Sequence, residues 1–273
     1  MSQDTPQDHI SKRPVVYQMP GTDTGTIRQN LEYPSADGSA LMMDVYYPPN
    51  VHSSARLPAV IFVSGFPDLG FQKMLGCKFK EMASYVSWGK LTAASGIVAI
   101  IYENRDPAAD LQAVLQHVRQ NAADLGVDEN RIGVWACSGN VPLALSLLMQ
   151  ADSDYLKCAV LCYGLMLDLD GSTNVAQAAQ MFGFVNPCEG KTVADLPPGL
   201  PLFIARAGQD NPQLNETLDR FVAAALRRNL PVSFVNHPSG PHAFDVLDDS
   251  ETTREIIRQI LAFLRFHLLS KGE

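Results

Sequence analysis

The sequence predicts an α/β fold: a mostly parallel central sheet with helices on both faces and an antiparallel N-terminal edge. Beyond Pro58, short and nearly continuous apolar runs recur at Ala59–Val63, Ile97–Tyr102, Ile132–Ala136, Cys158–Tyr163, Leu202–Ala205 and Val232–Val235, the pattern of strands buried on both faces. Helical patterns lie between them, and strands that alternate with helices build parallel sheets through right-handed crossovers. Ahead of these runs, Ile27, Leu31 and Tyr33 and then Leu41, Met43, Val45 and Tyr47 alternate with polar residues around Asp37-Gly38. That is the signature of two antiparallel strands joined by a turn.

In chain order, residues 1–24 are rich in Pro, Gln, Asp and Thr and read as a loosely held arm. Residues 25–273 read as a single domain. Asp106-Pro107 offers an N-cap followed by Pro at the first helical position; Leu111, Val114, Leu115 and Val118 form the buried stripe, and Gly126 closes the helix. A second helix from about Gln213 to Arg228 buries Leu218, Phe221, Val222 and Leu226, and a last one from about Glu251 to Leu268 buries Ile256, Ile257, Ile260, Leu261, Leu264 and Leu268. Two connections are long, Phe66–Lys78 and Gly164–Pro201. Loops of that length are usually functional, and these are expected to wall a pocket.

Composition narrows the function. At 273 residues with 46% hydrophobic side chains the chain can bury a large core. Its 29 Asp and Glu against 21 Lys and Arg give a net charge of −8, which argues against nucleic-acid or anionic-membrane binding. A small, weakly charged ligand fits better. Five cysteines without a compact framework suggest reduced thiols and hence the cytoplasm. No stretch has the roughly 18 apolar residues of a membrane span.

The stretch from Arg131 to Pro142 runs from apolar strand residues through a small-residue turn into a helical pattern. That is the shape of a nucleophile elbow, a sharp strand-to-helix turn that exposes one side chain above the sheet. Either Cys137 or Ser138 could be that residue. The positions two before and two after it must be small where helix packs on strand; these are Ala136 and Asn140 for Ser138, but Trp135 and Gly139 for Cys137. An indole there would collide with the helix, so Ser138 is favoured.

Sites in open parallel sheets lie beyond the carboxyl ends of the strands. Ser138 follows one strand, Asp210 follows Leu202–Ala205, and His242 follows Val232–Val235. The chemistry explains the set: a neutral hydroxyl needs a base to take its proton, and the imidazole needs a carboxylate to fix its tautomer. His237 sits too close to its strand end to reach across, whereas Gly240-Pro241 provides a bend that delivers His242.

Three blocks, Ala59–Phe66, Arg131–Gly139 and Gly240–Asp245, resemble the dienelactone hydrolase-like branch of the α/β-hydrolases. The resemblance runs from Pro58 to Leu268. It implies the α/β-hydrolase fold, a carboxylic-ester or lactone hydrolase activity with neither metal nor organic cofactor, and Ser138, Asp210 and His242 as the catalytic trio. The chain departs from that branch in having Ser138 where dienelactone hydrolases proper have cysteine. It also has Ser64 where esterase-like relatives have histidine, and Asn140 where they have glycine. A small-molecule ester or lactone is the expected substrate, and a homodimer stays open.

An oxyanion hole needs two N–H donors, one from the residue after the nucleophile and one from the loop after the first buried strand. Gly139 provides the first. Gly65 or Phe66 provides the second, Phe66 being favoured, since Pro67 has no N–H. Cys158 and Cys162 share one strand face and read as core, so no metal site is expected. Glu103, Asn104 and Arg105 are expected near the rim of the site. Asp245, Asp248 and Asp249 are expected to favour the positive end of the last helix.

Overall fold

The computed structural model describes residues 9–50, 56–150 and 154–270. Among them eight strands form one sheet in the order β1-β2-β4-β3-β5-β6-β7-β8. These are β1 (Thr26–Pro34), β2 (Ala40–Tyr47), β3 (Leu57–Phe62), β4 (Val98–Tyr102), β5 (Val127–Cys137), β6 (Leu156–Cys162), β7 (Leu202–Ala207) and β8 (Val232–His237). β1 and β2 pair antiparallel, as does β2 with β4, and every pair from β4 to β8 is parallel. The antiparallel edge and the parallel body match the sequence pattern.

Helices cover both faces. On one lie α3 (Pro107–Gln120), α4 (Val141–Leu148) and α6 (Pro212–Arg227), which bury Leu111, Val114, Leu145, Leu218 and Phe221; Leu226, expected inward on α6, instead lies exposed in its last turn. On the other lie α2 (Ala83–Ala94) and α8 (Glu251–Leu269), which bury Trp88, Leu91, Ile257, Ile260 and Leu264. Three more helices, α1 (Asp68–Leu75), α5 (Asn174–Phe182) and the short α7 (Phe244–Leu247), sit in the connections after β3, β6 and β8. Asp106 caps α3 as its sequence predicts, its side chain accepting from the amides of Ala108 and Ala109. The helix stops at Gln120, however, and Gly126, at φ +62°, leads into β5 and does not close α3.

Two further expectations are corrected. Val232–Val235 is not buried on both faces: β8 is the outer strand of the sheet and leaves Phe234 42% exposed. An edge strand is covered less completely by the flanking helices, which explains the Ser and Asn that alternate with its apolar residues. The expected loose arm is the second. Residues 1–8 lie outside the described residues, but residues 9–24 pack on the domain. Ser11 and Val15 are buried, and the Val16 amide donates to the Asp245 carbonyl at 2.9 Å. Among the described residues no helix is long and apolar enough to cross a membrane.

The docked segment makes a stability prediction. Val15→Ala should lower the unfolding free energy by about 1–2 kcal/mol in a denaturant titration, the range for a small cavity in a packed site; an unchanged midpoint would mean that the segment is loosely held after all.

Candidate active site

β5 is hydrogen-bonded on both sides, to β3 and to β6, so its carboxyl end is rigid. It runs directly into a turn over Ser138–Asn140 and then α4. Ser138 adopts φ +54°, a left-handed conformation that costs a non-glycine residue free energy and holds its side chain above the sheet. Its Oγ lies 2.9 Å from His242 Nε2, and His242 Nδ1 lies 2.6 Å from Asp210 Oδ2. The three residues chosen at the strand ends are thus brought into one chain of hydrogen bonds.

The loops that carry Asp210 and His242 are joined to each other. The Gly208 amide donates to the His237 carbonyl at 2.8 Å, and the Gln209 amide to the Gly240 carbonyl at 2.9 Å. Gly208 is required for this approach, because a Cβ there would lie 2.3 Å from the Pro238 carbonyl oxygen. The Asp210 side chain is 5% exposed. Its second oxygen accepts from the Asn211 amide.

Cys137 points the other way, as the register argued from Trp135 requires. Its Sγ lies 3.6 Å from Tyr85 Oη, and burial, with the nearby Asp245 carboxylate adding to it, pushes its thiol up to about 12. Such a thiol is not ionised near neutral pH and is a poor nucleophile.

The unusual Asn140 has a structural task. Its Nδ2 donates to Tyr85 Oη at 3.0 Å, and its Oδ1 accepts the Gly65 amide at 2.7 Å. The Gly65 N–H is therefore engaged. The Phe66 amide has no acceptor among the described residues, and the Gly139 amide opens a helical turn, where amides lack internal partners. These two are the donors free for an oxyanion. A Cβ on Gly139 would come within 2.7 Å of the Phe184 ring and 3.0 Å of the Phe66 ring, so only glycine fits beneath them. Ser64 shapes the same loop, donating to the Phe66 carbonyl and accepting from Asn104 Nδ2.

Other expectations move. Asn104 supports the loop from behind, and Glu103 pairs with Lys78 at 2.8 Å, so neither lines the cleft. Arg105 faces solvent beside Ser39. His237 is buried against Asp248 and Thr253 and ties β8 to α8. Asp248 and Asp249 sit at the start of α8 as expected, but Asp245 does not. It is fully buried, accepting from Trp88 Nε1 and Tyr163 Oη at 2.7 Å each. Burial raises its carboxyl pKa, while those two hydrogen bonds oppose the rise. Tyr163 sets its ring edge against His242, with centroids 5.1 Å apart. Sequence reasoning missed this support; the one available signal was the position of Tyr163 at a strand's carboxyl end.

Above Ser138 opens a cleft of about 510 Å³, walled by Phe66, Leu165, Phe184 and Leu214, with Met74 of α1 and Met181 and Phe182 of α5 at its mouth. Both long connections contribute to it as expected. Among the described residues no group of three or more His, Cys, Asp or Glu is placed to hold a metal ion.

No protein-family model matches the chain, and no curated protein matches its sequence. Solved structures do match. The esterase Est22 superposes with a TM-score of 0.69 at 17% identity, over 89% of this chain and 82% of that one. A hyperthermophilic esterase from the archaeon Pyrobaculum calidifontis gives 0.68 at 21%, over 94% and 88%. A thermophilic esterase from the planctomycete Thermogutta terrifontis gives 0.66 at 20%, over 93% and 97%. The chain has the α/β-hydrolase fold. In that fold the elbow, acid loop and histidine loop all open on one sheet edge, where this chain gathers Ser138, Asp210 and His242.

Two measurements check the elbow's surroundings. Iodoacetamide at pH 8 should leave Cys137 of the folded protein unmodified by peptide mass mapping, because the solution is far below the pH at which that thiol ionises. Asn140→Gly, which restores the usual small residue, should still destabilise the protein by about 1–3 kcal/mol, since it leaves the buried Gly65 amide without its acceptor and takes one of two partners from the Tyr85 hydroxyl; equal stability would remove the task assigned to Asn140.

Proposed function

We propose that the chain is a serine hydrolase that cleaves carboxylic esters of small molecules through an acyl-enzyme. The observation that carries this reading is the uninterrupted relay from Ser138 Oγ through His242 to Asp210 at the floor of the cleft. Ser138 attacks the ester carbonyl while His242 takes its proton. Asp210 holds the imidazole in the tautomer that presents a bare Nε2 to the serine, and it stabilises the imidazolium that forms. The Gly139 and Phe66 amides receive the developing oxyanion. His242 then protonates the leaving alcohol, and water, activated by the same imidazole, releases the acid and restores Ser138.

The similarity to solved esterases supports an ester as the bond cleaved, and the three sequence blocks shared with the dienelactone hydrolase-like branch favour a lactone as the second reading. A serine in the position of that branch's cysteine supports the ester reading over the lactone one. Five free cysteines support the cytoplasm as its compartment.

Ser138→Ala should lower kcat on p-nitrophenyl butyrate by roughly 10⁴ or more with the fold intact. Asp210→Asn should lower it by ~10³ to 10⁴, because the amide favours the wrong imidazole tautomer. An organophosphate should stop turnover by modifying Ser138 alone. Full activity in Ser138→Ala would overturn the reading.

A further inference from the structure

Resting on the esterase reading, we propose that the preferred substrate is an ester joining an apolar acyl chain to a neutral, hydroxyl-bearing alcohol. His242 must hand its proton to the leaving oxygen, so the alcohol lies on the side of His242 and the acyl chain extends away from it. On the oxyanion side the rings of Phe66 and Phe184, 5.6 Å apart, close over Gly139. That wall is apolar. On the histidine side the cleft is lined by Asn211 and Gln213, which follow Asp210 in the chain, before Leu214 joins the apolar cluster of Leu165, Val175 and Phe184.

Helix α5 repeats the same order across the mouth. Asn174, Gln177, Ala178 and Met181 all line the cleft and fall at i, i+3, i+4 and i+7, one face of a helix, over about 10 Å of rise. Its amide end lies on α6, with Asn174 Nδ2 donating to Glu216 at 3.3 Å. Its apolar end returns to the oxyanion loop, the Val185 amide donating to the Gly65 carbonyl at 2.9 Å. Amides therefore face the alcohol position, and Met181 and Phe182 face the acyl position.

The carboxamides have hydrogen-bonding capacity left for a ligand. Asn211 uses Oδ1 to cap α6, which leaves Nδ2 as a donor; Gln177 uses Nε2 on Thr173, which leaves Oε1 as an acceptor. Gln213's side chain has no partner among the described residues. A hydroxyl both donates and accepts and matches this mixture. A charged alcohol finds no counter-ion: no Lys or Arg lines the cleft among the described residues, and its one carboxylate, Asp210, is engaged by His242.

The test compares glycerol monobutyrate with ethyl butyrate, both followed by acid release, on the full-length protein. The wild type should favour the glycerol ester in kcat/KM by about tenfold, two hydroxyl hydrogen bonds being worth roughly that factor. The double variant Gln177→Leu/Gln213→Leu should reduce this ratio about tenfold. Both residues are exposed, and Gln213→Leu alone, reducing it about threefold, serves if the double variant folds poorly. An unchanged ratio in the variant, or a wild type that favours the ethyl ester, overturns the proposal. Hydrolysis of p-nitrophenyl butyrate without either of the other esters rejects the alcohol assignment and leaves the esterase reading standing. If p-nitrophenyl butyrate is not hydrolysed either, both fall.

Discussion

A serine held at φ +54° between a strand and a helix is the constraint on which the rest of this structure depends. An L-residue in that conformation costs on the order of 1–3 kcal/mol, and it persists only where the surroundings leave no alternative. β5 is paired on both sides and cannot shift along its axis, while α4 is buried almost throughout. Between these two fixed bodies, Gly139 admits two aromatic rings and Asn140 pins the turn to the oxyanion loop and to Tyr85. The strain is thus distributed into ordinary core packing. Its product is one hydroxyl standing free of the sheet.

Beneath the elbow, the Tyr85 hydroxyl and the Asp245 carboxylate are buried and partnered, while Trp135 Nε1 has no hydrogen-bond partner among the described residues. Tyr85 meets both Asn140 and Cys137, and Asp245 meets Trp88 of α2 and Tyr163 at the end of β6. Such a network is costly when incomplete and rigid when satisfied. Here it links four separate parts of the chain: α2, the end of β6, the segment after His242, and the docked N-terminal stretch through the Val16 amide. The contact of Tyr163 with the His242 ring passes that rigidity to His242, which is carried on a bent loop. Ala243, at φ +56°, turns the chain so that His242 faces the cleft while Phe244 and Asp245 enter the core.

The parts legible in the sequence were those that obey a local rule. Each parallel strand announced itself by an apolar run, and the catalytic candidates followed because the site of such a sheet lies at its carboxyl edge. Trp135 decided between two adjacent nucleophiles on steric grounds alone. Asp245 was not legible, because a carboxylate three residues after His242 looks the same in sequence whether it caps a helix or is buried by side chains distant in the chain. The helix α2 escaped for a related reason: it is buried on several sides, including Gly89 against the Tyr46 ring, and so lacks a single apolar stripe. Likewise the polar composition of residues 9–24 gave no hint that Val15 finds a place in the core.

The candidate site is built from parts of different rigidity. Ser138, Asp210 and His242 lie just beyond the ends of paired strands, so their geometry is inherited from the sheet. Helix α5 buries only Val175 completely, and its first amides are held by the Asp168 carboxylate. Gly183, at φ +77°, ends the helix where no neighbouring atom would meet a Cβ. A segment attached at so few points can change its cleft-facing side chains at little cost to stability. The elbow cannot, since Gly139 and Asn140 are each in contact with the core. The division gives a site in which Ser138, Asp210 and His242 are fixed by the sheet while part of the cleft's amide and apolar wall rides on a segment attached at few points.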